Sequence, residues 1–282
     1  MKEAAIYKTE NGREVFSAFE DGVLAYWTFP HESLFVPTRF GETHVITAGD
    51  KNKPALVMLH GAASNLLSWG AEIPRFMGDY FVIAPDIPGE AGKSAPVRPS
   101  WDGPEYVYWL EELLLALQIG RISLMGISLG GWIALQYAAQ HGKTIDKLVL
   151  MTPGGIVPAK ASFIIKSVLY ASQKNGLEKM KKLVFGTTDI LPVLSDFFDL
   201  VQKHYTPRFG SPPLLPDDAL RGIESGVLMV SGENDAFFPV KKAAKRLRRI
   251  RPDALVYIIP HGQHGITESH ESIAEFLRNP VH

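Results

Sequence analysis

One stretch, LMGISLGGW at residues 124–132, joins a serine to a change of secondary structure. Its first residues continue an apolar run that starts at Ile122 and predicts a buried β-strand. From Leu129 onward the pattern predicts a helix, so Ser128 stands in the tight turn between the two. Gly126 and Gly130 carry no Cβ atom, which lets neighbouring backbone approach such a turn closely. The stretch therefore predicts a serine hydroxyl lifted above the end of a strand, at the N-terminus of a helix.

Short apolar runs of the same form recur along the chain, each bounded by Gly, Pro, Asp or His. They occupy residues 55–59, 80–84, 122–125, 148–151, 227–230 and 255–259. Helical patterns lie between most of them, which is typical of parallel strands covered on both faces. Two earlier runs, at 34–39 and 43–47, flank a turn and predict a hairpin. The predicted fold is α/β, with a mostly parallel central sheet and helices on both faces.

The spacing of these runs also predicts the domain organisation. Residues 154–225 carry helical patterns but no buried-strand pattern, and we interpret them as a helical cap insertion. The core then comprises residues 34–153 and 226–282. Residues 1–33 form a separate lead-in, predicted to be helical around 15–27.

Composition excludes several classes of function. Lys and Arg number 29 and Asp and Glu 30, so a net charge of −1 gives no electrostatic case for nucleic-acid binding. The basic run at residues 241–251 has apolar residues at helical spacing, so its cations are predicted to be the solvated face of a helix. The absence of cysteine excludes disulfides, thiolate metal sites and a cysteine nucleophile. The GKS sequence at 92–94 lacks the upstream glycine of a phosphate-binding loop.

The sequence also allows predictions about cellular location, cofactors and partners. The uncharged stretch at residues 122–142 is long enough to span a bilayer, but its glycines, glutamines and histidine argue against a membrane span. The N-terminal sequence lacks the apolar core of a signal peptide, so a cytoplasmic location is expected. We expect no cofactor, no metal, and neither a nucleic-acid nor a membrane partner. The sequence leaves the oligomeric state open.

A serine hydroxyl is a weak nucleophile that needs a base, and the base needs an acid to orient it. Asp235, after the run at 227–230, is the candidate acid, and Glu233 is its rival nearer the strand end. His264, after the last run and before the final helix, is the candidate base. His261 lies closer to the strand end and is interpreted as part of the loop.

Two backbone N–H groups are candidates for binding an oxyanion. One belongs to Leu129, the first residue of the helix after Ser128. The other belongs to Ala62, in the sequence HGAAS (residues 60–64) that follows the run at 55–59. Gly61 would let the chain turn beneath a reacting carbonyl, and His60 is interpreted as holding this loop.

With these motifs in this order, the chain resembles the α/β-hydrolase superfamily over residues 34–277. The loop DIPGEAGKS (86–94) is similar to the family's D-x-x-G-x-G-x-S loop, with one extra residue between the glycines. TRFGETHVI (38–46), HGAAS and GISLGG together resemble bacterial serine carboxylesterases of the naproxen-esterase type. The resemblance implies hydrolysis of a small-molecule ester through an acyl-enzyme, with Ser128, His264 and Asp235 as the triad.

These motifs do not fix the substrate or the type of reaction. Other serine-triad reactions are C–C bond hydrolysis, thioester hydrolysis and cofactor-free perhydrolysis, and a ligand-binding protein on a hydrolase scaffold is a further alternative. Apolar residues of the insertion could line an acyl or alcohol pocket or simply pack the insertion onto the sheet. These residues are Phe163, Ile164, Leu169, Phe197, Phe198 and Leu200.

Overall fold

A computed structural model gives the structure of the protein and describes residues 6–171, 173–187, 189–208, 210–265 and 270–279. Its centre is a single sheet with the strand order β1-β2-β4-β3-β5-β6-β7-β8. Strands β1, β2 and β4 pair in antiparallel fashion, and every pairing from β4 through β3 to β8 is parallel. The strands are β1 (Glu32–Thr38), β2 (Gly41–Ala48), β3 (Ala55–Leu59), β4 (Phe81–Pro85), β5 (Ile122–Ile127), β6 (Ile145–Met151), β7 (Gly226–Gly232) and β8 (Leu255–Ile259).

Helices lie on both faces of this sheet, as predicted. Alternate residues of one strand enter opposite apolar cores, as Val57 and Leu56 of β3 do. The first core contains residues of α3, α4 and α9, and the second contains residues of α2 and α10. The helices are α1 (Gly12–Leu24), α2 (Ile73–Phe76), α3 (Glu105–Ala116), α4 (Leu129–Gln140), α5 (Ala161–Ala171), α6 (Gly176–Phe185), α7 (Pro192–His204), α8 (Asp217–Arg221), α9 (Val240–Ile250) and α10 (His270–Arg278).

The predicted fold class is confirmed, and one detail of it is wrong. Each predicted run coincides with a strand to within a few residues, but β8 is not buried on both faces. Leu255 is 47% exposed and Tyr257 45% exposed. The reason is position in the sheet: β8 is an edge strand that pairs with β7 alone. No helix in the described part of the chain is long and apolar enough to cross a membrane.

Residues 154–225, which we call the insertion, carry α5, α6, α7 and α8 between β6 and β7. The lead-in helix α1 begins and ends three residues before its predicted bounds and packs against α7. A short antiparallel bridge between Tyr7 and Tyr205 joins the lead-in to the end of α7. The lead-in helix also contacts the short 3₁₀ helix at Leu66–Trp69, so the lead-in contacts both the core and the insertion. The domain boundaries themselves stay a prediction.

The basic helix α9 is amphipathic, as its sequence predicted, with Ala243, Leu247 and Ile250 buried. Its cations are not all solvated, however. Arg251 is 8% exposed and donates to the Ser225 carbonyl, and Arg246 donates to the Leu215 carbonyl. These guanidinium groups satisfy backbone oxygens at loop ends, which explains part of the basic run without an external partner.

Candidate active site

Ser128 occupies the predicted turn between β5 and α4 in a strained conformation. Its φ of 54° and ψ of −106° lie outside the regions that side-chain-bearing residues favour. Backbone hydrogen bonds fix this geometry: the Ser128 N–H donates to the Met151 carbonyl at 2.9 Å, and its carbonyl accepts from Gly154 N at 3.0 Å. Such strain costs about 1–3 kcal/mol and persists where the surrounding structure enforces it.

The two glycines that flank Ser128 are required by close backbone approach. A Cβ atom on Gly126 would lie 2.3 Å from the Gly130 carbonyl oxygen. A Cβ atom on Gly130 would lie 2.1 Å from the Leu59 carbonyl oxygen at the end of β3. Both distances are far below van der Waals contact, so any side chain would force the turn open. The sequence-based interpretation of these glycines agrees with the structure.

The loop after β3 lies next to the serine. A Cβ atom on Gly61 would be 3.7 Å from the Ser128 Cβ atom. His60 is fully buried; its Nε2 accepts from the Ile87 N–H at 2.8 Å, so Nδ1 carries the proton and donates to the Gly61 carbonyl. Burial lowers the pKa of His60, consistent with this neutral form. His60 thus holds the loop, as predicted, between β3 and the segment after β4.

The next feature is the pair of backbone N–H groups predicted to bind an oxyanion. Among the residues that the structure describes, neither the Ala62 N–H nor the Leu129 N–H donates a hydrogen bond. Leu129 is the first residue of α4, where an N–H has no partner within the helix. Leu129 follows β5 and Ala62 follows β3, so both N–H groups lie at the carboxyl ends of neighbouring parallel strands.

Asp235 and His264 form a buried hydrogen-bonded pair at the carboxyl ends of the parallel strands. Asp235 Oδ2 lies 2.9 Å from His264 Nδ1. The other oxygen, Oδ1, accepts from the N–H groups of Phe237 at 2.6 Å and Phe238 at 3.0 Å. The Asp235 side chain is inaccessible to solvent, and His264 is 6% exposed. The carboxylate therefore has three donors around it and can hold the imidazole in one tautomer.

The rival residues have other roles. Glu233 forms an ion pair with Lys241 at 3.2 Å, and the hydrogen bond from this lysine lowers the pKa of Glu233. His261 sits in the left-handed region with φ of 59° and is exposed. Neither residue contacts the Asp235–His264 pair in the described hydrogen bonds, which favours the assignment of Asp235 and His264.

Four of the six insertion residues that the sequence analysis names as possible pocket lining lie in different environments. Phe163 stacks on Phe237, next to His264, while Ile164 is 45% exposed. Phe197 is buried against the lead-in helix, with its ring edge-on to Phe16. The remaining residue, Phe198, packs edge-on to Phe185 of α6. Their shared role as pocket lining stays a prediction.

A buried carboxylate that the sequence analysis did not single out lies beside the loop that carries Ala62. Glu90 Oε2 accepts hydrogen bonds from the Ala63 N–H at 2.6 Å and from the Tyr205 hydroxyl at 2.8 Å. Ala63 has a positive φ of 53°, a conformation that this bond helps to hold. Burial raises the pKa of Glu90, and the two hydrogen bonds oppose the shift. The signal was present as an acidic residue inside the glycine-rich loop at 86–94.

A second histidine cluster, also missed, lies beneath the lead-in helix. His44 Nδ1 lies 2.7 Å from Glu20 Oε1 and 3.4 Å from Asp86 Oδ2, and all three side chains are buried. His44 Nε2 is 2.8 Å from Ser33 Oγ. Asp86 also accepts from the Leu66 and Lys93 N–H groups. His44 lies on β2 and Asp86 directly follows the neighbouring β4, but Glu20 comes from a helix whose position the sequence did not indicate.

The same cluster offers the one group of potential metal ligands found among the described residues. A separation of 2.7 Å between His44 Nδ1 and Glu20 Oε1 suits a shared proton. Tetrahedral zinc ligands at about 2.1 Å from the ion lie roughly 3.4 Å apart. The pair therefore fits a close ion pair better than a metal site. Lys93 of the GKS sequence pairs with Asp21 of α1 and so also anchors the lead-in.

The family follows from comparison with known proteins. A model of the alpha/beta hydrolase family matches residues 56–276, which is most of the chain. The chain belongs to this family. The sheet order, the strained serine after β5 and the acid–histidine pair after β7 and β8 agree with that membership.

Within the family the chain is similar to bacterial carboxylesterases. It is 24% identical to carboxylesterase YbfK of Bacillus subtilis over 263 residues, covering 90% of this chain and 88% of that protein. It is 26% identical to the uncharacterized carboxylesterase nap of the same organism, covering 91% and 88%. The crystal structure of naproxen esterase from B. subtilis has a TM-score of 0.86 at 23% identity, covering 96% of this chain and 99% of that one. The resemblance stated from the sequence is confirmed.

Proposed function

We propose that the protein is a serine carboxylesterase that hydrolyses small carboxylic esters through an acyl-enzyme. Ser128 is the nucleophile, His264 the general base and Asp235 the acid that orients it. The observation that carries this proposal is the combination of the strained Ser128 turn with a buried Asp235–His264 hydrogen bond at the same sheet edge. A folded protein retains such strain most often where function uses it.

The chemistry follows from the groups at this edge. His264 Nε2 takes the hydroxyl proton as Ser128 Oγ attacks the ester carbonyl, and the Ala62 and Leu129 N–H groups receive the oxyanion. The protonated His264 then delivers the proton to the leaving alcohol as the acyl-enzyme forms. Water repeats the sequence and releases the acid. Asp235 holds the Nδ1 proton throughout and stabilises the imidazolium.

The names of the relatives support the ester as substrate, since two similar proteins are called carboxylesterases. The test is hydrolysis of p-nitrophenyl acetate and butyrate by the wild-type protein and by Ser128→Ala. We expect turnover in the wild type and none above background in the variant. Thioester, dione and peracid assays run beside it decide whether esters are the preferred substrate. Equal turnover by the wild type and Ser128→Ala would overturn the proposal.

A further inference from the structure

Phe237 lies between the insertion and the acid–histidine pair. Its ring is stacked on the His264 imidazole, with centroids 3.8 Å apart and planes inclined by 11°. The opposite face stacks on Phe163 of α5, with centroids 3.7 Å apart and an angle of 26°. Three rings therefore form one column, which runs from the first helix of the insertion to the histidine.

The backbone of Phe237 makes equally specific contacts. Its N–H donates to Asp235 Oδ1 at 2.6 Å, and its carbonyl accepts from the Lys160 N–H at 2.7 Å. The Lys160 ammonium also reaches the Asp235 carbonyl oxygen at 2.5 Å. One residue thus touches the acid through its backbone and the base through its ring, and the segment that enters α5 holds that residue in place.

A single hydrogen bond to Nδ1 does not fix an imidazole ring completely. The ring is held at two points, the Cβ–Cγ bond and the hydrogen bond at Nδ1, and it can still rock about the line that joins them, which would displace Nε2. An aromatic ring packed flat on the imidazole removes the freedom, because rotation would break the stacked contact. The π face also favours the imidazolium that forms during reaction, since a cation over an aromatic face is stabilised.

We propose that Phe237 is a positioning residue that sets the plane of His264, and that Phe163 holds Phe237 in turn. The docking of the first turn of α5 is thereby coupled to the orientation of the base. The catalytic consequence rests on the proposed function, whereas the structural consequence does not. The two can therefore be tested separately.

The structural test uses the carbon-bound protons of His264, observed by NMR in protein with labelled histidine. A stacked ring shifts such protons upfield, so we expect an upfield resonance in the wild type. Phe237→Leu should remove the shift, whereas Phe237→Tyr should keep it because it retains the ring. Phe29→Leu removes a ring that packs at a tilt against Trp27, away from His264, and serves as the matched control. An unchanged His264 resonance in Phe237→Leu would overturn the stacking role.

The kinetic test follows ester hydrolysis in the same variants. Phe237→Leu should lower kcat about 3- to 10-fold with KM nearly unchanged, and Phe237→Tyr should restore it. Phe163→Leu should act in the same direction but less, and the double variant should lose less than the product of the single losses. Equal activity of Phe237→Leu and Phe29→Leu in an active enzyme would overturn the positioning role. An inactive wild type would instead contradict the proposed function and leave the NMR result to decide the stacking.

Discussion

In the described part of the chain, two buried histidines contact carboxylates, and they differ in what surrounds the second ring nitrogen. His264 meets Asp235 through Nδ1, and its Nε2 has no hydrogen-bond partner among the described residues. His44 meets Glu20 and Asp86 through Nδ1, but its Nε2 contacts Ser33. The first arrangement leaves a nitrogen that can exchange a proton. The second uses every polar atom of the ring to hold structure together.

The difference shows why an acid–histidine contact does not by itself indicate catalysis. The Glu20–His44 separation of 2.7 Å is even shorter than the 2.9 Å between Asp235 and His264. The two clusters lie in different places. His264 follows β8 and lies at the carboxyl ends of the parallel strands, as Ser128 does, whereas His44 lies within β2 and faces the lead-in helix. A general base needs a free nitrogen near the atom it deprotonates.

The largest effect is expected from removing each histidine in turn. His264→Ala should lose nearly all ester turnover, by about 10⁴-fold or more, because the proton of the nucleophile has no acceptor. His44→Gln should retain turnover once folded, with loss of stability instead. Steady-state hydrolysis and circular dichroism on both variants check this. An inactive but well-folded His44→Gln would contradict the structural role of His44.

The acids should differ in the same way. Asp235→Asn should keep the fold and lower kcat by up to about 10⁴-fold, because the amide favours the wrong imidazole tautomer. Glu233→Gln is the matched control, since its carboxylate contacts Lys241 on the surface. It should stay close to wild type in the same assay. Reversed results would assign the acid to Glu233.

Another buried carboxylate, Glu90, lies beside the loop that carries Ala62, the proposed oxyanion donor. Glu90→Leu removes the acceptor of the Ala63 N–H and should lower kcat about tenfold or more, short of the 10²–10³ lost with a donor itself. Glu90→Gln keeps an oxygen and should stay close to wild type. Tyr205→Phe, which removes only the second donor, should fall between them. Affinity for a trifluoromethyl ketone should fall in parallel with kcat, and no change in that affinity would exclude a role in the hole.

The smallest effect concerns pH and stability. Burial, with the charge on Asp86, raises the pKa of Glu20 to about 8. Burial alone would lower the pKa of His44, but its contacts with Asp86 and Glu20 outweigh this and raise it to about 9. Both groups therefore hold protons in the folded state that the unfolded chain has released. Their stabilisation is complete at low pH and is lost as pH rises towards 9.

Thermal unfolding at pH 6 and pH 9 measures this effect. The wild-type Tm should be lower at pH 9, and Glu20→Gln should show a smaller difference between the two pH values. Glu32→Gln changes an exposed glutamate paired with Lys51 and serves as the control. A pH dependence in Glu20→Gln equal to that of the wild type would show that the cluster does not share protons as described.

The sequence predicted the elements that one local pattern defines and missed those that need three-dimensional contact. Apolar runs predicted the strands, and the turn around Ser128 predicted the elbow with its glycines. The sequence did not predict the hydrogen-bond partners of Glu90, because Ala63 and Tyr205 are distant from it along the chain. The exposure of β8 was missed for a similar reason: apolar content does not show whether a strand has a neighbour on its second side.

We expect His264, and not His44, to activate Ser128. The most direct measurement is the rate at which a fluorophosphonate probe labels Ser128, followed by intact mass and peptide mapping. Rapid labelling is expected on the peptide that contains Ser128 in the wild type and in His44→Gln. Labelling at least about 10²-fold slower is expected in His264→Ala. Undiminished labelling of His264→Ala, or labelling at a different residue, would contradict the assignment of His264 as the base.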